Sequence, residues 1–176
     1  MTLLENVDLQ SYNTFGIKVF ARYFTILRTS EDAKELFTSA IFKNVPHLFL
    51  GGGSNLLFTK NYDGLIVKVE IQGKEIVAED EDTVTLKVGA GENWHALVMY
   101  CVEHNWGGIE NLALIPGTAG AAPIQNIGAY GVEIKKIISS VETVEISGGM
   151  SKVFTNAASQ FGYRESISKQ ELKDKY

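Results

Sequence analysis

The sequence predicts an α+β fold with more strands than helices. Two observations carry this prediction. Segments with strand-like alternation or β-branched runs outnumber segments with helical periodicity, and the two kinds do not alternate along the chain as they do in a doubly wound sheet. Its 176 residues suffice for one substantial domain or two small lobes. We place the lobe boundary near 70–82 and predict lobes at 1–70 and 71–176.

The first half of the chain reads as strand, helix and strands. Residues 23–29 predict a strand, and Ser30 is the expected N-cap of the helix that follows. The buried face of this helix has the spacing i, i+3, i+4, i+7, i+8 and comprises Ala33, Leu36, Phe37, Ala40 and Ile41. Further short apolar segments predict strands at 47–50, 56–58 and 65–69.

The middle of the chain predicts one more strand and a second helix. The acidic run 79–82 reads as a solvated turn between lobes, and the β-branched run 83–88 reads as a strand. Asn93 is the expected N-cap of a helix over 94–103, and Gly107-Gly108 is expected to end it.

The last part of the chain predicts a hairpin. Gly148-Gly149 is a turn signal between strands at 137–146 and 152–155. A short helix is expected over 156–160. The polar run 166–176 is expected to lack an anchor.

Composition excludes several classes of function. The net charge of −5 and the absence of a dense Lys/Arg patch argue against nucleic acid as a partner. Cys101 is the single cysteine, so an intrachain disulfide cannot form. No basic, apolar leader stands at the start and no apolar run has the length of a membrane span, so we expect a cytoplasmic protein without membrane contact. The histidines share no metal-binding spacing, and no metal is expected; they are His47, His95 and His104.

Two segments rich in small residues are the candidate ligand sites. Residues 110–131 are dense in glycine and alanine and carry no Lys or Arg, so a phosphate there would be held by amide N–H groups. Residues 51–55, GGGSN, follow a predicted strand and offer consecutive N–H groups to a pyrophosphate. GGGSN lacks the third glycine of a Rossmann fingerprint and the Lys-Ser/Thr of a P-loop. The alternative for both segments is a tightly packed turn.

Polar residues in and after the second segment have two interpretations. Asn111, Gln125, Asn126 and Tyr130 either satisfy the loop's own backbone or contact a ligand. Arg164, in the run Phe-Gly-Tyr-Arg, is either a surface arginine with a packed stem or a group that stabilises an oxyanion or clamps a carboxylate.

Five motifs, in order along nearly the whole chain, resemble the UDP-N-acetylenolpyruvoylglucosamine reductase family. They are NTFG (13–16), LGGGSNLLF (50–58), GAGENWH (89–95), GIENLALIPGTAGAAPIQNIGAYGVE (108–133) and FGYRES (161–166). The block from IPG to IGAYG is the most specific of them.

The resemblance implies a fold of the vanillyl-alcohol-oxidase type, with two α+β lobes and non-covalent FAD between them. It implies that both glycine-rich segments bind FAD through backbone amides. The cofactor-binding residues that it implies are Leu50, Gly51, Gly52, Gly53, Ser54, Asn55, Leu56, Pro116, Gly117, Ala121, Ala122, Ile124, Gly128 and Ala129.

The resemblance also implies a reaction. NADPH would reduce FAD, and the reduced flavin would pass hydride to the enolpyruvyl double bond of a nucleotide-sugar substrate. Arg164 would be catalytic and stabilise the enolate-like intermediate, and Tyr163 and Gln125 would bind substrate. Family enzymes continue beyond the motifs found here into a substrate-binding domain that carries the proton donor. We therefore expect the chain to be truncated before that domain and incomplete for catalysis.

Two alternatives remain at this point. One is a flavin-binding module without reductase activity. The other is a carbohydrate oxidase of the same fold, many of which tether FAD through His or Cys. Neither glycine-rich segment contains His or Cys, which counts against the second.

Overall fold

The largest sheet of the protein is built by the first part of the chain. The computed structural model describes residues 1–176. The first elements are β1 (Leu3–Asp8), β2 (Phe20–Leu27), α1 (Ser30–Thr38), α2 (Ala40–Asn44), β3 (His47–Leu50) and β4 (Tyr62–Val69). The strand order is β1-β2-β4-β3, with β1 antiparallel to β2 and with β2 and β3 both parallel to β4.

The sheet is covered on both faces because β4 carries a continuous apolar run. Ile66 faces a cluster that contains Phe24 and Leu50, and its neighbours Leu65 and Val67 face the opposite cluster. This alternation follows the period of two residues along a strand. Burying each such side chain contributes about 1.5–3 kcal/mol to the free energy of folding. Because β4 supplies side chains to both clusters, it links them.

The second part of the chain forms hairpins around one helix. Its elements are β5 (Lys74–Glu79), β6 (Val84–Val88), α3 (Trp94–Glu103), β7 (Gly128–Ala129), β8 (Val132–Glu133), β9 (Ser140–Val144) and β10 (Ser151–Thr155). The pairs β5–β6, β7–β8 and β9–β10 are all antiparallel. Short 3-10 helices lie at Gln10–Tyr12, Glu110–Leu112, Ile134–Lys136 and Ala157–Ser159.

A third cluster packs the small-residue segment against α3. Trp94 is almost fully buried, and its indole N–H donates to the carbonyl oxygen of Leu112 at 2.8 Å. Ala122 and Ile134 complete the same cluster from the other side. A buried aromatic side chain thus binds the start of the segment that follows α3, at Leu112.

Several predicted elements are confirmed. β3 and α3 have the predicted bounds, and the Asn93 side chain accepts a hydrogen bond from the amide of Ala96 as an N-cap does. The hairpin around Gly148-Gly149 is present. The acidic run does contain a turn, but this turn joins β5 to β6 within one hairpin, with Glu79 in β5, and does not separate two lobes as predicted. The mixed helix and sheet content confirms the α+β class.

The first helix differs from its prediction at both ends. Its N-cap is Thr29 rather than Ser30, because Thr29 and Asp32 form a reciprocal capping box. The helix ends at Thr38, where the Ser39 hydroxyl bonds the carbonyl oxygen of Leu36 and then caps α2. Ala40 is consequently exposed and does not belong to the buried stripe.

Three further predictions are wrong. Residues 56–58 form no strand. Asn105, with φ of 60°, ends α3 in place of the glycines, because its left-handed backbone lets the Trp106 amide donate to the Cys101 carbonyl oxygen at 2.9 Å. The final run is anchored: the Ile146 amide donates to the Lys175 carbonyl oxygen at 2.8 Å, and the Tyr176 ring packs edge-on against Phe154.

No helix in the structure combines the length and the apolar character needed to cross a lipid bilayer.

Candidate functional site

The two glycine-rich segments lie directly against each other. A Cβ atom placed on Gly52 would lie 3.2 Å from the Cα of Gly117, and one placed on Gly51 would lie 3.0 Å from Oγ1 of Thr118. Carbon atoms normally meet at about 3.5–4.0 Å, so this approach has no room for a larger residue at Gly52. We call the contact of residues 51–52 with residues 117–118 the glycine seam.

The NTFG motif, residues 13–16, contacts and supports the first glycine-rich loop, residues 51–55. Gly53 has φ of +65°, and a Cβ atom there would overlap the carbonyl oxygen of Tyr12. The Thr14 amide donates to the Gly53 carbonyl oxygen at 3.2 Å. The Asn13 side chain is buried and bonds to backbone groups of Leu9 and Ile17, so the support is itself fixed.

The GAGENWH motif holds the second segment. The Gly117 carbonyl oxygen accepts from the Trp94 amide at 3.1 Å, and the Ala119 amide donates to the Glu92 carbonyl oxygen at 2.9 Å. The carboxylate of Glu92 is nearly buried and accepts from the Lys74 ammonium group at 2.6 Å and from the Gly73 amide at 2.8 Å. Burial raises the pKa of Glu92, but these two donors outweigh it, so the pKa lies below its ordinary value.

The seam and the residues that follow it in the first loop have amide N–H groups that donate to no protein acceptor. They belong to Gly52, Gly53, Ser54, Asn55, Gly117 and Thr118. Consecutive unpaired amides in a turn form a cradle for an anion, and glycine removes the Cβ atoms that would block it. A pyrophosphate fits this donor set, because the cradle offers several neutral donors close together.

The FGYRES motif packs over residues 124–128. Asn126 is fully buried; its Nδ2 donates to the Gly162 carbonyl oxygen at 2.8 Å, and its Oδ1 accepts from the Lys135 amide at 3.1 Å. Nearby, Ser166 donates to the Ile124 carbonyl oxygen at 2.8 Å and Arg164 to the Gly128 carbonyl oxygen at 3.0 Å. Of its two interpretations, Asn126 therefore has the structural one.

Left-handed backbone at residues other than glycine recurs in this region. Leu114 has φ of 61°, Tyr130 of 50° and Arg164 of 56°. This conformation costs about 1–2 kcal/mol for an ordinary residue, and such strain concentrates at functional sites. The side chains of Leu114, Tyr130 and Tyr163 are strongly exposed, at 77%, 89% and 85%. The second segment and the FGYRES motif thus combine left-handed backbone with exposed large side chains.

The predicted site residues occupy different environments. The structure brings loop 51–55 together with residues 117–118, and Arg164 together with Gly128. Leu50 is buried at the end of β3, and Ala122 is buried in the cluster around Trp94. The remaining predicted positions are exposed or half-buried, and all but Ala129, which lies in β7, are outside strands and helices; they are Leu56, Pro116, Ala121, Ile124, Gln125 and Ala129.

Lys68, which contacts the first glycine-rich loop, was not among the residues predicted from the sequence. The Lys68 ammonium group donates to the Gly51 carbonyl oxygen at 2.8 Å. Lys68 is half-buried on β4, and burial lowers its pKa. Its position inside the apolar run LIVKV, residues 65–69, is the feature of the sequence that could have indicated it.

Comparison with known proteins agrees with this geometry. Residues 21–153 match a family model described as FAD binding domain, a range that includes both glycine-rich loops. The chain is 50% identical to a UDP-N-acetylenolpyruvoylglucosamine reductase of Amoebophilus asiaticus and 45% identical to one of Flavobacterium johnsoniae, in each case over 100% of this chain and 52% of the relative.

A solved structure is similar as well. The crystal structure of UDP-N-acetylenolpyruvylglucosamine reductase from Thermus caldophilus matches with a TM-score of 0.72 and 27% identity, over 94% of this chain and 57% of that one. The chain thus spans about half the length of the relatives it matches. Because the family model covers most of the sequence and both loops of the glycine seam, the chain belongs to the FAD-binding domain family.

Proposed function

We propose that this chain is the FAD-binding part of an NADPH-dependent reductase. The reaction is the conversion of UDP-N-acetylglucosamine enolpyruvate to UDP-N-acetylmuramate, a step of peptidoglycan precursor synthesis, in the cytoplasm. The observation that carries the proposal is the glycine seam with its unpaired amides, in a chain 50% identical to a protein named for this activity.

In this proposal the cofactor lies between lobes 1–70 and 71–176. The amides of Gly52 to Asn55 and of Gly117 and Thr118 donate to the pyrophosphate oxygens. The exposed residues of the second segment, Pro116, Ala121 and Ile124, contact the flatter parts of the molecule. The association is non-covalent, since neither loop contains a His or Cys.

The flavin, when bound, supplies the hydride carrier between the nicotinamide and the enolpyruvyl double bond. Arg164 supplies a permanent positive charge with forked donors beside Gly128, which suits a carboxylate or a developing enolate oxygen of the substrate. Tyr163, exposed next to it, and Gln125 contact the nucleotide-sugar substrate. The left-handed backbone of Arg164 fixes the direction from which its side chain extends.

Titration of the chain with FAD, followed by flavin fluorescence, tests the proposal. Wild type is expected to bind FAD, and Gly52→Val to bind it about 10- to 100-fold more weakly. The valine must push the Gly117 backbone away, and overpacking of this kind costs about 1–3 kcal/mol.

Gly107→Val is the matched control, because a Cβ atom at Gly107 meets nothing within 4 Å. Circular dichroism establishes that each variant is folded. Unchanged FAD affinity in folded Gly52→Val removes the pyrophosphate role from the seam.

A flavin-binding module without reductase activity is the second candidate, because the chain spans only 52% of its relatives. Oxidation of NADPH in the presence of the enolpyruvyl substrate separates the two. A protein of the relatives' length that contains this chain is expected to catalyse it. Normal FAD binding without any such turnover supports the module.

A further inference from the structure

The charged ammonium group of Lys68 lies in a half-buried position, which is unfavourable for a positive charge. Lys68 lies on the central strand β4, directly after three residues that are fully buried, and pairs in register with Leu50 on one side and Ile26 on the other. Transferring an ammonium group from water to such a place is costly unless it gains strong interactions. Burial accordingly lowers the pKa of Lys68.

No carboxylate forms an ion pair with Lys68, although the negative charge of Glu70 raises the pKa of Lys68 by less than burial lowers it. Glu70, which follows the end of β4, is instead paired with Arg28 at 3.9 Å. The one hydrogen bond of the ammonium group goes to the carbonyl oxygen of Gly51. Packing of the sheet alone gives no reason for a lysine here, since the neighbouring strand residues, 64–67 and Val69, are apolar.

The partner of Lys68 connects it to the amide cradle. In a trans peptide the C=O and the following N–H point in opposite directions. Because the Gly51 oxygen points at the Lys68 ammonium group, the Gly52 N–H, which has no protein acceptor, points away from that group. A charge-assisted hydrogen bond is stronger than a neutral one, so the ammonium group holds this peptide plane firmly.

The two loops themselves supply no positive side chain. Residues 51–55 and 110–131 contain neither Lys nor Arg. Lys68 therefore brings a positive charge into contact with the loop backbone from the rear. An anion in the cradle would receive neutral N–H donors in front and this charge behind them.

We propose that Lys68 is a positioning residue for the pyrophosphate of FAD: it orients the Gly51–Gly52 peptide and supplies the positive charge behind the amide cradle. This inference rests on the proposed function. The inference requires a ligand with a diphosphate group, and it predicts that Lys68 does not affect the binding of the isoalloxazine ring.

The test measures FAD and riboflavin affinities of wild type, Lys68→Met and Lys68→Gln by fluorescence titration. Riboflavin shares the ring but lacks the phosphates. Lys68→Met is expected to weaken FAD binding about tenfold and to leave riboflavin binding unchanged. Lys68→Gln keeps an amide donor without the charge and is expected to show a smaller loss. Lys60→Met is the matched control, because Lys60 is exposed and bonds nothing; its affinities should equal those of wild type.

Two further measurements separate positioning from mere structural support. Without ligand, Lys68→Met is expected to unfold at the same denaturant concentration as wild type or a higher one, because a half-buried charge has been removed. Its FAD affinity should also depend less on salt concentration, since screening has one charge fewer to act on.

The outcomes distinguish the two proposals. If wild type binds no FAD, the proposed function fails. If wild type binds FAD and both Lys68 variants bind it equally well, the inference about Lys68 is wrong. Equal losses for FAD and riboflavin together with lower stability overturn it too, because they indicate a structural role.

Discussion

Replacing Gly53 by alanine should destabilise the protein more than the same replacement at Gly16. The two glycines have nearly the same backbone, with φ of +65° and +63°. Alanine in this conformation costs about 1–2 kcal/mol, and roughly 0.4–1 kcal/mol returns from the stiffer unfolded chain. This net cost of about 1 kcal/mol applies to both sites.

The surroundings of the two sites differ. A Cβ atom at Gly16 meets nothing within 4 Å, whereas one at Gly53 overlaps the Tyr12 carbonyl oxygen and lies 3.0 Å from its carbon. Tyr12 cannot retreat easily, because its ring packs on Phe24 with 4.8 Å between centroids. Overpacking adds about 1–3 kcal/mol, so Gly53→Ala should lose roughly 2–4 kcal/mol in total.

Urea denaturation followed by circular dichroism measures both free energies of unfolding. The quantity that tests the reasoning is the difference between the variants, in which the common backbone cost cancels. Equal losses at the two positions would show that the loop moves away from Tyr12 freely, and would refute the clamp on the first loop.

Three other outcomes follow from the site. Asn126→Ala should lose about 1–3 kcal/mol of stability in denaturant unfolding, because the Gly162 oxygen and the Lys135 amide are left unpaired. Asn111→Ala, at an exposed position, is the control; equal losses in the two variants would contradict a stabilising role for the two hydrogen bonds of Asn126. The stability advantage of wild type over Glu92→Gln should be constant above pH 4.5 and shrink as the pH falls, since a lowered carboxylate pKa contributes stability that acid removes; an advantage unchanged at pH 3 contradicts this. In a protein of the relatives' length, Arg164→Ala should lower kcat about 10²–10³-fold at unchanged FAD content, and an unaltered kcat makes Arg164 a surface residue.

The sequence predicted those elements whose signals are local. Asn93 before an apolar helix and Gly148-Gly149 between β-branched runs each act through neighbouring residues. The helix has its predicted bounds, and the hairpin is present with a first strand shorter than predicted, Ser140–Val144 instead of 137–146. The first helix was predicted too long because the Ala40 and Ile41 spacing continued the stripe, whereas the Ser39 side chain competes for the backbone and breaks the helix.

The site was predictable in part. Glycine density indicated where backbone approaches backbone, and Gly52 indeed meets Gly117. Which residues support the loops depends on strand register over long separations. Lys68 reaches Gly51 only because β3 and β4 are parallel with Leu50 opposite it, and no local pattern encodes that register.

The glycine seam joins parts of the protein that are otherwise held in separate clusters. Gly53 accepts from Thr14 and Gly117 from Trp94, so the loop on each side is bonded to a different core. A ligand that binds the folded form at 100 times its Kd adds about 2.7 kcal/mol of stability. Bound at the seam, it must be released before either side can open, and amide hydrogen exchange in both would slow together. Occupancy would thereby turn two regions with separate opening equilibria into one cooperative unit.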